Sequence, residues 1–253
     1  MIIELFGPPG VGKTTFAIAL GASLREGGNS TKLYLSSRPG EDRPRRELQS
    51  HSAQPRCHAL TDPLRRIARP VMQLIAARAV RDPTHDSSAQ ALAAKLPPGR
   101  VAALRMRQYL VRLSAAWREA QRSDRIAIFD QAYVQAMASI LIASGHIADE
   151  DVMGLIAVAP RADLAIRIDA PIPEVANRLE HRAQVIGRVG RLFESKLGDP
   201  LAYARATEQL QAGLERDGRA VATVSSTDPV ALSAEVQRAC SEIDRIRWSE
   251  KAA

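Results

Sequence analysis

The chain has 253 residues, 45% of them apolar and only 4% aromatic, and a formal charge of +7. That length suits one α/β domain with an aliphatic core, and no apolar run approaches the ~18 residues that a membrane span needs. Lys is confined to positions 13, 32, 95, 196 and 251, so arginine supplies 30 of the 35 basic residues. These arginines are scattered and not interleaved with aromatics, which argues against a nucleic-acid surface and for small phosphate-rich partners.

Ile2-Ile3-Glu4-Leu5-Phe6 is a short apolar run that predicts a buried strand. Gly7-Pro8-Pro9-Gly10-Val11-Gly12-Lys13-Thr14 follows at once, filling every position of the glycine, four free residues, Gly-Lys-Thr pattern. Thr15-Phe16-Ala17-Ile18-Ala19-Leu20 then has the composition of a helix. A glycine turn between strand and helix aims backbone N–H groups and the positive helix end at a phosphate. Lys13 would reach the β- and γ-phosphates, Thr14 would complete a magnesium shell, and Thr15 lies beside them. A leader ahead of a loop that starts at Gly7 is not expected.

Lys32-Leu33-Tyr34-Leu35 predicts a second strand. A polar, proline-broken loop follows to about Arg56, and Ile67, Val71, Leu74 and Ile75 then recur at helical spacing up to about Arg81. Residues 82–100 are Pro/Ser/Ala-rich with little pattern and read as a mobile excursion. Met106, Leu110, Leu113 and Trp117 mark one face of a long helix. Ile126-Ala127-Ile128-Phe129-Asp130 predicts a third strand ending in a carboxylate, with helices at roughly 133–144 and 149–158 after it. Residues 164–169 predict a fourth strand, and Val175, Leu179, Ala183 and Ile186 stripe the next helix, which starts near Pro173. Asp199-Pro200 and Asp228-Pro229 read as helix starts, with a last strand over 220–224 between their helices. Strands alternating with helices imply a parallel sheet covered on both faces, within a single domain over 1–248.

A carboxylate at a strand end beside a phosphate loop, as Asp130 is, can hold magnesium or take a proton from an acceptor hydroxyl. Asp169 also ends a strand, but Ala170-Pro171-Ile172-Pro173 after it favours a turn role. Arg178 and Arg182, four apart, share one helix face. Arg188 and Arg191 follow, flanked by Gly187 and Gly190. Glycine allows a segment to close and arginine cancels charge on a phosphoryl group in flight, so 178–198 has the composition of a lid. The plainer reading of the same arginines is a solvated basic helix end. Cys57 and Cys240 lie far apart without metal-ligand spacing and read as reduced thiols of a cytoplasmic protein.

Over nearly its whole length the chain resembles the phosphate-loop nucleoside and nucleotide kinases. Residues 3–13 look like the opening of an adenylate kinase, and the later half is similar to a thymidylate kinase. Ile128-Phe129-Asp130-Gln131-Ala132-Tyr133 stands where that family carries Asp-Arg-Tyr or Asp-Arg-Phe. Ser37-Arg38-Pro39-Gly40 stands at its acceptor loop, and Arg107-Gln108 at the region that contacts the acceptor base. The resemblance implies a five-stranded parallel sheet in the order 2-3-1-4-5 and an acceptor region over about 37–122. It also implies adenine near Ser225-Ser226-Thr227, and Arg38, Arg107, Gln131 and Tyr133 as acceptor contacts. Two positions depart from the thymidylate kinase pattern: Pro9 replaces an acidic residue, and Gln131 replaces the arginine that grips an acceptor phosphate.

The expected function is therefore transfer of the γ-phosphate of ATP, with Mg2+, to a small acceptor. A neutral amide at 131 suits a hydroxyl or a base edge better than a phosphate. Two alternatives stay open. One is an ATP-hydrolysing switch or assembly protein, with Gln131 orienting water; the other is a sugar or antibiotic kinase on the same fold. Oligomeric state is open too, a homodimer included.

Overall fold

In the computed structural model of the chain, the described residues are 1–35, 87–96, 101–145, 147–185, 200–225 and 229–252. Strand β1 (Ile2–Phe6) is buried along its whole length, and α1 (Lys13–Glu26) leaves it through the glycine loop. In chain order come β2 (Thr31–Tyr34), α2 (Ser87–Ala94), α3 (Val101–Gln121), β3 (Ile126–Phe129), α4 (Tyr133–Ser144) and α5 (Asp149–Ile156). Then follow β4 (Leu164–Asp169), α6 (Ile172–Val185), α7 (Pro200–Arg216), β5 (Val221–Ser225) and α8 (Pro229–Ala252). These elements belong to one compact unit, Met1–Ser36 with Asp86–Ala253. A second unit, Ser37–His85, contains the expected acceptor loop and the helix expected to end near Arg81, and lies outside the described residues.

All five strands run parallel in the order β2-β3-β1-β4-β5. Ile3 faces Ile128 of β3 on one side and Leu164 of β4 on the other, so the most apolar strands occupy the centre. Parallel neighbours need crossover connections, and each crossover brings a helix back over a sheet face. One face, packed by α1, α6 and α8, gathers Ile3, Leu5, Phe16, Leu20, Ile128, Ile166, Val175 and Ile243. The other, packed by α2, α3, α4, α5 and α7, gathers Phe6, Leu92, Leu110, Trp117, Phe129, Tyr133, Met137 and Leu210. This is the three-layer fold of the phosphate-loop proteins, with the sheet order expected from the resemblance. None of the described helices is long and apolar enough to cross a membrane.

Four of the ten aromatics meet in one place. Tyr34 stacks on Phe129 with centroids 4.4 Å apart, and Trp117 meets the edge of Tyr133 at 5.1 Å. They wedge α3 and α4 against the ends of β2 and β3, just below Asp130. One expectation is corrected here. Within 82–100, residues 87–94 form a helix, held by burial of Ala89 and Leu92 on one side. Two buried positions three apart are enough to dock a two-turn helix but too few to show as a periodicity.

Candidate functional site

After Phe6 the chain turns at Gly7 with φ +145°. A Cβ at this position would lie 2.3 Å from the carbonyl oxygen of Ile168, so a side chain is excluded by contact as well as by conformation. Gly12, left-handed at φ 104°, is the N-cap of α1 and supplies no side-chain hydrogen bond. The first N–H groups of α1 are thus left without a side-chain cap, as an anion site at a helix start requires. Val11 is fully buried beneath the loop, and Pro8 is buried too. Pro9 and Gly10 are half-buried, and Thr15 is exposed.

Lys13 is 5% exposed, and its ammonium donates to the carbonyls of Gly7 at 2.7 Å and Pro8 at 2.8 Å. These bonds hold the charge against the loop instead of letting it swing in solvent. The Thr14 hydroxyl donates to Oδ2 of Asp130 at 2.9 Å, across 116 residues of sequence. Asp130 is fully buried, and its N–H extends the ladder by donating to the Tyr34 carbonyl at 3.2 Å. A hydroxyl and a carboxylate in contact beside a phosphate loop form a hard-oxygen pair suited to Mg2+, which takes one or two protein oxygens and fills its shell with phosphate and water. Among the described residues no group of three or more His, Cys, Asp or Glu could hold a metal by itself.

Helix α6 lies over the loop. Arg178 donates from Nη1 to the Val11 carbonyl at 3.2 Å and pairs through Nη2 with Glu174 at 3.3 Å. Leu179 on the same turn would be 2.9 Å from a Cβ at Gly10, which shows how tightly helix and loop meet. Of the other expected lid groups, the Arg182 side chain, Arg188 and Arg191 lie outside the described residues, as do Arg38 and Ser226. Gln131 is half-buried, and its carbonyl accepts the Tyr109 hydroxyl at 3.1 Å. Arg107 is exposed on α3. Tyr133, expected among the acceptor contacts, is fully buried edge-on to Trp117. As the first residue of α4 its ring points into the core, and it packs there instead of facing an acceptor. Asp169 plays the turn role: its Oδ1 accepts the Ala170 N–H at 3.1 Å, and Arg167 lies 3.6 Å from its other oxygen. Ser225, exposed at the end of β5, lines a cavity of about 450 Å3 with Pro8, Arg167, Asp169, Ile172 and Val175.

Two buried polar residues that bond to the segments around the loop, Glu4 and Gln135, were not among the sequence candidates. Glu4, 1% exposed in mid-β1, accepts the Val134 N–H at 3.0 Å. Burial pushes its carboxyl up to about 7, partly offset by that N–H and by the charge of Arg219. Gln135 on α4 accepts the Gly7 N–H at 3.3 Å. A signal for Glu4 was present: a carboxylate inside an otherwise apolar strand needs a buried partner. Burial, reinforced by the nearby charges of Asp130 and Glu4, likewise raises the Tyr109 phenol above its ordinary value.

No family model and no curated protein matches the sequence. Among solved structures, the chain is similar to a deoxyadenosine kinase from M. mycoides with bound dATP, with 13% identity, a TM-score of 0.47, and 95% of this chain and 100% of that chain covered. The same enzyme with bound dCTP gives 12% identity and a TM-score of 0.44, covering 96% of this chain and 100% of that one.

Proposed function

We propose that this protein is an ATP-dependent phosphotransferase that moves the γ-phosphate of ATP to a hydroxyl of a small acceptor of nucleoside or nucleotide type. The observation that carries the reading is the 2.9 Å contact between Thr14 of the loop and Asp130 at the end of β3, beside the loop-bound ammonium of Lys13. Phosphoryl transfer asks little covalent chemistry of the protein; it asks for alignment and for charge to be neutralised as it moves. The loop N–H groups would cradle the phosphates, and Lys13 would follow the charge that builds on the β–γ bridging oxygen as that bond breaks. Mg2+, when bound through Thr14 and Asp130, supplies further neutralisation. Arg178, bonded to the Val11 carbonyl of the loop, is proposed to turn toward a phosphate, and Arg182, Arg188 and Arg191 are proposed to join it. The acceptor hydroxyl gives up its proton as its oxygen bonds to phosphorus; Asp130 is proposed for one of two roles, holding Mg2+ with Thr14 or receiving that proton. Ser225, with Ser226, is proposed to border the adenine.

The half-buried amide of Gln131 supports an uncharged acceptor, since it offers a donor and an acceptor but no positive charge for a phosphate. Transfer from ATP–Mg2+ to nucleosides, nucleoside monophosphates and simple sugars, assayed side by side, tests this reading. ADP formation that depends on a nucleoside supports it. Equal ADP formation without any acceptor would identify a hydrolytic switch, and transfer to thymidine monophosphate with thymidine ignored would restore a nucleotide kinase.

A further inference from the structure

The phosphate loop and the Asp130 turn are distant in sequence, yet Thr14 and Asp130 must keep their 2.9 Å contact. Two buried hydrogen bonds cross between the segments that carry them. From the strand side, Glu4 Oε2 accepts the N–H of Val134, in the first turn of α4. From the helix side, Gln135 Oε1, one residue further along α4, accepts the N–H of Gly7. Gly7 is thereby held between the Ile168 carbonyl of β4 and the amide of α4, and its N–H is committed to protein. The turn between β3 and α4 is held from its other side by Tyr109, whose hydroxyl donates to the Gln131 carbonyl.

We infer that Gln135 is a positioning residue for the phosphate loop: its amide oxygen fixes the first corner of the loop to α4, and so keeps the loop in register with Asp130. This rests on the donor site proposed above. Gly7 is buried and Gln135 only 8% exposed, so an unmet Gly7 N–H could not readily turn to water in its place. Its side chain is not expected to touch nucleotide. Loss of the bond would let the loop sample conformations in which its later N–H groups no longer converge, and affinity would fall by the fraction of time spent there.

The test uses the full chain with Gln135→Met, which keeps length and apolar bulk but removes the acceptor. Met137→Ala serves as the control: Met137 is fully buried on the same helix and makes no part of the clamp. Hydrogen exchange at the Gly7 amide, read by NMR without nucleotide, should be faster by roughly 3- to 10-fold in Gln135→Met. The dissociation constant for a fluorescent ATP analogue with Mg2+ should rise by a similar factor. Met137→Ala should lower the unfolding midpoint while leaving that constant unchanged. Unaltered Gly7 exchange, or an equal loss of affinity in Met137→Ala, would overturn the clamp while leaving the donor site standing. Failure of the wild-type chain to bind the analogue would overturn the donor site itself, and Gly7 exchange would still decide whether Gln135 holds the loop.

Discussion

Toward α1, α6 and α8 the strands present Ile3, Leu5, Ile126, Ile128, Leu164, Ile166, Ile168 and Val224, all aliphatic. Toward α3, α4 and α7 the same strands present Phe6, Ala127, Phe129 and Ala165, with Glu4 bonded to α4 and Arg167 donating to Gln211 of α7 at 3.0 Å. One face is held by area and shape, which are non-directional. The other adds hydrogen bonds that work at one distance and one angle. The directional contacts concentrate where the phosphate loop meets Asp130, and the aliphatic layer lies behind the loop as its support. Residues that only fill the aliphatic layer should therefore affect stability, and those that make the directional bonds at the loop should affect the site.

The largest expected effect belongs to the loop. Lys13→Ala should reduce phosphoryl transfer by on the order of 10²–10³, measured in single turnover, if the ammonium tracks developing charge as proposed. Its bonds to Gly7 and Pro8 make a smaller contribution to the fold, about 1–2 kcal/mol. A variant that keeps half its activity would break the assignment. On the aliphatic face, Leu5→Ala should lower unfolding free energy in urea by about 2–5 kcal/mol, since Leu5 is fully buried between strands and helices. Nucleotide affinity should hold; if it fell in proportion, the two faces would not be separable.

A third expectation concerns pH. The Glu4 carboxyl is raised from 4.5 to about 7 in the fold, so between these values the native state retains a proton that the unfolded state has lost. Its contribution to stability is then full below pH 4.5 and is lost as pH rises through 7, a change of roughly 3 kcal/mol. Glu4→Gln keeps an oxygen for the Val134 N–H but cannot ionise, so its urea midpoint should lack this decline and exceed wild type at pH 8. Parallel profiles for the two proteins would remove Glu4 as the titrating group. The smallest effect is expected at the outer strand, where Lys32 pairs with Glu119 at 2.6 Å in solvent. Glu119→Ala should leave the unfolding midpoint unchanged, because exposed pairs are screened and cost side-chain entropy to hold.

Much of the scaffold was legible because its signals are local. An apolar run closed by Asp130 marks β3, and the prolines at 200 and 229 begin α7 and α8. The run Gly7 to Thr14 announced the loop, since spacing along the chain is the whole of that motif. Thr14 and Asp130 were each legible as candidate oxygen ligands, from the motif and from the strand end, but their contact across 116 residues is a product of the fold. Helix α2 was obscured because only Ala89 and Leu92 show a buried side. Tyr133 was placed with the acceptor by its neighbours in sequence, whereas the direction of its Cα–Cβ bond at the start of α4 sends it into the core against Trp117.

By itself, then, the sequence determined the strand-loop-helix at the start of the chain, the alternation that makes a parallel sheet, and the acid at the end of β3. These depend on residues within a few positions of each other. Only the tertiary structure decided which buried polar groups meet. Glu4 and Val134 are 130 residues apart, and Gly7 and Gln135 are 128 apart. Such bonds form because sheet order sets β1 beside β3 and packs α4 against its face, bringing donors and acceptors together that no local pattern relates. Once buried there, each group must find its partner, and the cost of leaving one unmet is what gives the loop its fixed shape.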